Sequence, residues 1–335
     1  MTIHQPTELT SAAMLGLGVH RPERVVTNDE ICEVLDSSDE WIQTRSGIRT
    51  RRFAAEEETL VGMSISASER ALKAASVDAS QIGCVIVATS THPEHTPASA
   101  PRVATALGIT AAAFDISAGC AGFCHALNLA ASMVRSGAES HVLVVGVEQL
   151  SRFMDPTDRG TAFIFADGAG AAVVGPSDTP GIGPVVWGSD GEQFDLIRQR
   201  EDWRDVVGSE TQPGSGVMPH LTMQGNPVFR WESFAMAKIG QQALDAAGVS
   251  IDELDVFVPH QANMRIIDAM ARSMKLPASV SIARYVADQG NTSASSVPLA
   301  LDRMMLEGAA RSGDTALLIA FGAGLAYAAQ VVTVP

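Results

Sequence analysis

The chain has 335 residues, 46% of them hydrophobic, which predicts two domains or two fused halves and not a single small core. Its formal net charge of −15 at pH 7 argues against nonspecific nucleic-acid binding, which requires positive charge. Four scattered cysteines without paired spacing favour a reducing cytoplasm over a disulfide scaffold. Neither a signal peptide nor a membrane span is expected.

The first half of the chain is predicted to alternate strands and helices. Helix starts are indicated by residues 27–30, with Asn28 as the cap, and by residues 37–40. Apolar runs predict strands at 12–19, 82–89 and 142–147, a strand pair at 163–174, and helices at 63–75 and from 101 to 107.

Two polar clusters in this half carry competing interpretations. Residues 49–52 form a dense basic run, typical of a solvated surface or of a landing site for an acidic partner, with Trp41 as a stacking surface.

His92 and His95 occupy a loop. Because no further ligand types cluster there and Pro93 breaks any helical face, the spacing argues against a zinc site.

The stretch 114–126 predicts a strand end, a turn of small residues and a helix that begins near Cys120. A helix N-terminus carries unpaired N–H groups and about +0.5 of a charge, so it would stabilise a thiolate and lower its pKa. The flanking Gly119, Ala121 and Gly122 would leave room for an acyl group. The alternative is that Cys120 is a buried packing residue, which is the interpretation favoured for Cys32, Cys84 and Cys124.

The second half begins after a Gly- and Pro-rich linker at 176–183 and contains a second loose loop at 209–219. Helices are predicted at 229–247, 264–274 and 295–307, and strands at 256–259 and 316–320. His260 follows the first of these strands and Asn291 lies in a turn at 289–292. From the residues alone, each is typical of a structural position.

The two halves resemble each other. Residues 74–85 align with 246–257, and Gly119-Cys120 falls against Gly290-Asn291 at nearly the same offset. This repeat predicts two packed α/β halves, residues 1–175 and 184–335. It would place Cys120 and Asn291 at equivalent helix starts near a pseudo-twofold axis.

Six ordered motifs, spread from about residue 15 to 332, together resemble the thiolase superfamily and, within it, 3-oxoacyl-(acyl-carrier-protein) synthase III. They are Asp39-Glu40-Trp41-Ile42 with Arg45-Ser46-Gly47-Ile48, Gly119-Cys120-Ala121-Gly122-Phe123, Asp158-Arg159-Gly160, Pro259-His260-Gln261-Ala262-Asn263, Gly290-Asn291-Thr292-Ser293 and Phe321-Gly322-Ala323-Gly324. The resemblance implies an α/β, five-layered αβαβα fold built from two duplicated halves.

The resemblance also implies a reaction that initiates type II fatty-acid synthesis. An acyl-CoA primer is transferred to Cys120, and decarboxylative Claisen condensation with malonyl-acyl carrier protein then gives 3-oxoacyl-carrier protein, CoA and CO2. His260 and Asn291 complete the triad, and the N–H groups of Cys120 and Ala323 form the oxyanion hole. Neither a metal nor a cofactor is implied, and a cytoplasmic homodimer is expected.

The resemblance carries three further sets of residues onto this chain. The CoA-binding set is Ser37, Trp41, Arg45, Arg159, Gly225, Phe229 and Asn263. The basic face for the carrier protein is Arg230, Arg265, Arg272 and Lys275. The acyl pocket is Thr96, Phe165 and Phe321.

Two departures from the family pattern bear on function. Ala323 stands where a Gly is frequent, but its N–H remains available to an oxyanion. Thr96 stands where relatives restricted to acetyl groups place a Phe contributed across the dimer, which predicts branched or longer primers beside acetyl.

Three alternative functions are weighed against this one. The first is a polyketide-priming relative with a non-acetyl starter. The second, a non-catalytic partner subunit, would lack the nucleophile that Cys120 supplies. The third, a serine hydrolase, would need a Gly-x-Ser-x-Gly elbow.

Overall fold

The computed structural model describes residues 10–208 and 218–335. Within these ranges the strands are β1 Ser11–His20, β2 Arg24–Thr27, β3 Thr50–Phe53, β4 Ile82–Ala88, β5 Ala112–Ile116, β6 His141–Gln149, β7 Asp167–Ser177, β8 Val186–Ser189, β9 Ile197–Gln199, β10 Leu221–Met223, β11 Val256–Pro259, β12 Ser281–Ile282, β13 Thr315–Gly322 and β14 Ala326–Thr333. The α-helices are α1 Asn28–Cys32, α2 Asp39–Ser46, α3 Leu60–Ala75, α4 Ala100–Ala106, α5 Gly122–Arg135, α6 Trp203–Val207, α7 Gly225–Ala247, α8 Met264–Met274, α9 Val286–Gln289 and α10 Ser296–Glu307.

Two five-stranded sheets have the same strand order. The first runs β1-β7-β6-β4-β5 and the second runs β8-β14-β13-β11-β12. In each sheet the last three strands are parallel, and the other two add in antiparallel fashion. This shared topology agrees with the repeat inferred from the sequence. The boundary between the halves stays a prediction, although β7 extends two residues into the expected linker 176–183.

The helices and sheets form five layers. Helices α3 and α4 pack on the outer face of the first sheet, α5 and α10 lie between the two sheets, and α7 and α8 cover the outer face of the second. Strand β4 shows how the sequence sets this arrangement, because its side chains point alternately to opposite faces. Cys84 and Ile86 enter the central layer, whereas Val85 and Val87 face α3 and α4. The predicted αβαβα fold is therefore confirmed.

Two local predictions in the first half are wrong. Thr27, not Asn28, caps α1, because its side chain accepts a hydrogen bond from the Glu30 N–H. Residues 163–174 do not form a strand pair. Chain turns precede a single strand, β7, which begins at Asp167. The predicted loop at 209–219 lies mostly outside the described residues.

The basic run at 49–52 does not form a uniform solvated face, because Arg49 is exposed whereas Arg51 is fully buried. Its guanidinium donates to the Asn28 side chain at 2.6 Å and to the Phe163 carbonyl at 2.9 Å. Burial lowers the pKa of Arg51 to about 10. Arg49 pairs with Asp288 at 2.8 Å across the surface. Arg51 is thus an internal brace between α1, β3 and the turns before β7.

Candidate active site

A cavity of about 530 Å³ is lined by residues of both halves, and it falls within the size range of ordinary ligand sites. Cys120, His260 and Asn291 all line it. The other predicted site residues that line it are Trp41, Arg45, Phe165, Arg159, Gly225, Phe229, Asn263, Arg265, Phe321 and Ala323. The two halves therefore bring most of the predicted set to one place.

Cys120 lies in a 3₁₀ turn, Gly119–Ala121, that runs directly into α5. Gly119 has φ +51°, which a residue with a side chain rarely adopts. A Cβ added to Gly119 would lie 2.8 Å from the Ala323 nitrogen, and one added to Gly322 would lie 2.4 Å from the Cys120 nitrogen. The absence of these side chains lets the turn and the end of β13 pack backbone to backbone. The N–H groups of Cys120 and Ala323 thereby come to the same wall of the cavity.

The thiol of Cys120 is protonated at neutral pH. Part of the residue opens to the cavity, but protein surrounds the sulfur, and burial raises its pKa to about 12. The hydroxyl of Ser293 opposes this shift, and negative charge on Glu148 or Glu232 would add to it. The lowered pKa expected from the helix N-terminus is wrong, because desolvation of the buried sulfur raises the pKa instead.

His260 is buried and held at one ring nitrogen. Its Nδ1 lies 2.6 Å from the Ser296 Oγ, which also accepts a hydrogen bond from the Gln261 N–H at 3.3 Å. The ring meets the Phe321 ring edge to face, with centroids 5.2 Å apart. Burial lowers the pKa of His260 to about 3, so the imidazole is neutral. The direction of the Ser296 hydroxyl decides whether Nε2 accepts a proton or donates one.

Asn291 is placed by backbone hydrogen bonds on both sides. Its N–H donates to the Ile164 carbonyl at 2.9 Å, and its carbonyl accepts from the Ala166 N–H at 2.8 Å. The side-chain oxygen accepts from the Ser293 N–H at 2.8 Å. Because the amide oxygen is engaged, the amide nitrogen is the group that Asn291 offers to a ligand.

The outer part of the cavity wall carries a cation–π cluster. The guanidinium carbons of Arg159 and Arg45 lie 5.1 and 5.5 Å from the Trp41 ring centroid. Phe163 meets the same indole edge to face at 5.2 Å. An aromatic face with two cations beside it suits an adenine ring and its phosphates.

Several predicted residues do not line this cavity. Ser37 precedes the N-cap of α2 (Ser38), and its hydroxyl has no partner among the described residues. Thr96 lies exposed on the loop after β4, so within one chain it does not shape the acyl pocket. The remaining three, Arg230, Arg272 and Lys275, are exposed.

Four polar residues at the site were not singled out from the sequence. Ser296 positions His260. The Ser293 hydroxyl donates to Glu148 at 3.0 Å, and Ser293 lines the cavity together with Cys120. Ser293 has φ +47°, a strained value for a residue with a side chain. Glu232 lies in the cavity wall. The two serines follow Asn291 within five residues, which is the signal that could have identified them.

The described part of the chain contains no group of three His, Cys, Asp or Glu side chains that could hold a metal ion. Among the helices in that part, none has the length and apolar character to span a bilayer.

Comparisons with known proteins agree with this geometry. A family model described as 3-oxoacyl-[acyl-carrier-protein (ACP)] synthase III matches residues 114–191, and its C-terminal counterpart matches 244–334. The chain is 56% identical over 325 residues to a β-ketoacyl-[acyl-carrier-protein] synthase III of Streptomyces glaucescens, covering 97% of this chain and 96% of that protein.

Solved structures give the same result. The chain superimposes with a TM-score of 0.96 on the priming β-ketosynthase of the R1128 polyketide biosynthetic pathway, at 46% identity and covering 100% of this chain and 99% of that one. A 3-oxoacyl-[acyl-carrier-protein] synthase III from Aquifex aeolicus matches with a TM-score of 0.88 and 35% identity, covering 96% of this chain and 100% of that one.

Proposed function

The chain belongs to the 3-oxoacyl-(acyl-carrier-protein) synthase III family, and from this premise we propose that it joins an acyl-CoA primer to malonyl-acyl carrier protein. It is a condensing acyltransferase of the kind that initiates type II fatty-acid synthesis. The observation that carries the proposal is a single cavity lined by a cysteine, a neutral histidine and an asparagine whose amide oxygen is already hydrogen-bonded. The cysteine and Ala323 add two backbone N–H groups.

In the first half-reaction the Cys120 sulfur attacks the thioester carbonyl of the primer. The new carbon–sulfur bond forms on Cys120, the bond to CoA breaks, and the thiol proton passes through His260 Nε2 to the departing CoA thiolate. The N–H groups of Cys120 and Ala323 stabilise the oxyanion between these two events. The thioester already supplies an activated acyl group, so the proposed step uses no metal or cofactor.

In the second half-reaction malonyl-acyl carrier protein loses CO2, and its carbon–carbon bonding electrons become an enolate. His260 Nε2–H and the Asn291 amide donate hydrogen bonds to the enolate oxygen. The enolate carbon attacks the acyl carbonyl on Cys120 and the carbon–sulfur bond breaks. The Cys120 thiolate takes up a proton from water, and 3-oxoacyl-carrier protein is released. The Ser296 hydroxyl supports the switch in His260 from proton acceptor to donor, because it can either accept from or donate to Nδ1.

Charge and shape at the cavity mouth support binding of a CoA thioester and an acidic carrier protein. Trp41, Arg45 and Arg159 are arranged to take the adenine and phosphates. Arg265 stacks over Phe229 at 5.1 Å and lines the cavity. With the exposed Arg230, Arg272 and Lys275 it would form a local basic face that steers an acidic partner despite the net charge of −15.

A polyketide-priming role is a second candidate, because the priming β-ketosynthase of the R1128 pathway matches with a TM-score of 0.96. Both roles use the same chemistry and differ in the primer. Product analysis with acetyl-, isobutyryl- and longer acyl-CoAs separates them: a strong preference for a non-acetyl starter supports the priming role.

We also infer a cytoplasmic homodimer. Strand β5 is an edge of the first sheet and could pair with its copy in a second chain. The four cysteines are free, as suits a reducing compartment. Size-exclusion chromatography with light scattering tests the dimer, and a monomeric mass at assay concentrations would contradict it.

Intact-mass analysis after incubation with acyl-CoA tests the central proposal. Wild-type protein should gain one acyl mass, and Cys120→Ala should gain none under the same conditions. Acylation that persists in Cys120→Ala would overturn the assignment of the nucleophile. A wild-type protein that never gains an acyl mass with any primer would overturn the function itself.

A further inference from the structure

One carboxylic acid lies in the cavity wall without a role in the proposed reaction. Glu232 belongs to α7 and is 4% exposed. It is the one Asp or Glu among the described residues that line the cavity. Its Oε2 has no hydrogen-bond partner within the described chain. A buried polar atom without a partner costs free energy unless a ligand or ordered water satisfies it, so this group requires an explanation.

The surroundings of Glu232 are apolar. One helical turn earlier, Val228 is buried in a cluster with Leu196, Ile197 and Leu325. Val228 and Ile197 also line the cavity. Burial raises the pKa of Glu232 well above its usual range, which favours the neutral carboxylic acid. In that form it has one O–H donor and one carbonyl acceptor to offer to a molecule in the cavity.

Glu232 and Cys120 line the same cavity. The apolar cluster around Val228, one turn before Glu232, also packs against Ala323. A Cβ added to Gly119 would lie 2.8 Å from the Ala323 nitrogen, so this cluster is next to the turn that carries Cys120. Glu232 therefore lies toward the end of the cavity where an acyl group bound to Cys120 would rest. The polar groups suited to nucleotide and phosphates, Trp41 with Arg45 and Arg159, form a separate cluster.

We propose that Glu232 is a specificity-determining residue, an inference that rests on the proposed function. It selects acyl-CoA primers whose acyl chain carries a hydroxyl or carbonyl oxygen near the thioester. Such an oxygen pairs with the carboxyl. A plain alkyl chain displaces water from the cavity and leaves the carboxyl unpaired. A site built to hydrogen-bond a substrate oxygen rejects the analogue that lacks it far more strongly than an apolar pocket rejects an extra methylene.

The test compares two primers of equal chain length, butyryl-CoA and 3-hydroxybutyryl-CoA, in single-turnover acylation of Cys120 followed by intact mass. Wild-type protein should favour the hydroxylated primer by about tenfold or more, which is the effect of one satisfied buried polar group. Glu232→Leu should reverse the ratio by slowing the hydroxylated primer and accelerating the plain one. Glu232→Gln, which keeps a donor and an acceptor, should hold the ratio within about threefold of wild type.

Each alternative gives a different result. Equal rates for the two primers in wild-type protein overturn the proposal, and this result does not depend on whether any variant folds. An equal loss for both primers in Glu232→Leu also overturns it, because Glu232 would then bind the pantetheine arm common to all CoA thioesters or merely support the fold. A wild-type protein acylated by neither of these primers nor by acetyl-, isobutyryl- or longer acyl-CoAs would overturn the proposed function instead, whatever the role of Glu232.

Discussion

Gly322→Ala tests whether close backbone packing builds the oxyanion hole. The added Cβ would lie 2.4 Å from the Cys120 nitrogen and 3.1 Å from its Cα, about 1 Å inside ordinary contact at the nitrogen. The nearest atoms are backbone, so one of the two segments must move. A displacement of about 1 Å at a reacting group costs roughly 100-fold in rate. We therefore expect acylation of Cys120 to slow by about 100-fold.

The assay is the rate of acyl-mass gain with a saturating acyl-CoA, together with thermal unfolding. Overpacking is expected to destabilise the variant by about 1–3 kcal/mol, which leaves a folded protein to assay. Gly191→Ala is the matched control, since nothing lies within 4 Å of a Cβ added there. If Gly322→Ala is folded and acylates at the wild-type rate, the backbone contact does not position the donors and the oxyanion assignment fails.

Three further outcomes are expected. Asn291→Ala should keep Cys120 acylation but lower condensation about 100-fold or more, because one enolate donor is lost; equal losses in both half-reactions, measured by acyl mass and 3-oxoacyl product, would contradict the assigned role. The rate of Cys120 alkylation by iodoacetamide should rise about tenfold per pH unit between about pH 7 and 10, because the thiol pKa of about 12 lies above that range. The rate measured with Cys120→Ala is subtracted as background. A plateau in the rate near pH 8 would contradict the raised pKa. Arg51→Met should lower the free energy of unfolding in urea by about 2–4 kcal/mol, because it leaves buried acceptors unpaired. The control is Arg52→Met, which removes hydrogen bonds to the Pro22 and Glu23 carbonyls and should lower this free energy by less than about 1 kcal/mol. Equal losses in the two variants would contradict the bracing role of Arg51.

The fold was predictable because duplication leaves a signal in the sequence. Matching strand and helix patterns at a constant offset indicated two α/β halves, and the two sheets have the same strand order. Strand β4 is a continuous apolar run in the sequence because both faces of its sheet are covered, so its side chains are buried on whichever face they point to. The start of α1 was misplaced because Thr27 and Asn28 are both good caps, and the difference between them depends on tertiary contacts of Asn28 with Asp39 and Arg51.

The residues that line the candidate site could be predicted from the sequence, but the pKa of the Cys120 thiol could not. The motifs placed Cys120 and His260 together, and the cavity holds both. The sequence could not show that protein closes around the sulfur, and a helix dipole is worth only about 0.3–1 kcal/mol at an exposed site. Desolvation therefore decides the thiol pKa. Glu232 escaped notice for a related reason: on a helix of mixed polarity, one acid does not reveal that its face turns into an apolar cavity.

The raised thiol pKa also constrains how the reaction begins. Cys120 is a neutral thiol and His260 a neutral imidazole at neutral pH, because burial disfavours the charged form of each. A preformed thiolate–imidazolium pair would be a buried ion pair with a large desolvation cost. In the proposed mechanism, negative charge is instead best accommodated on the thioester oxygen, which the N–H groups of Cys120 and Ala323 would stabilise. Proton transfer from Cys120 should therefore accompany attack on the bound primer, so a substrate with a poorly placed carbonyl should fail to activate the thiol even when it binds tightly.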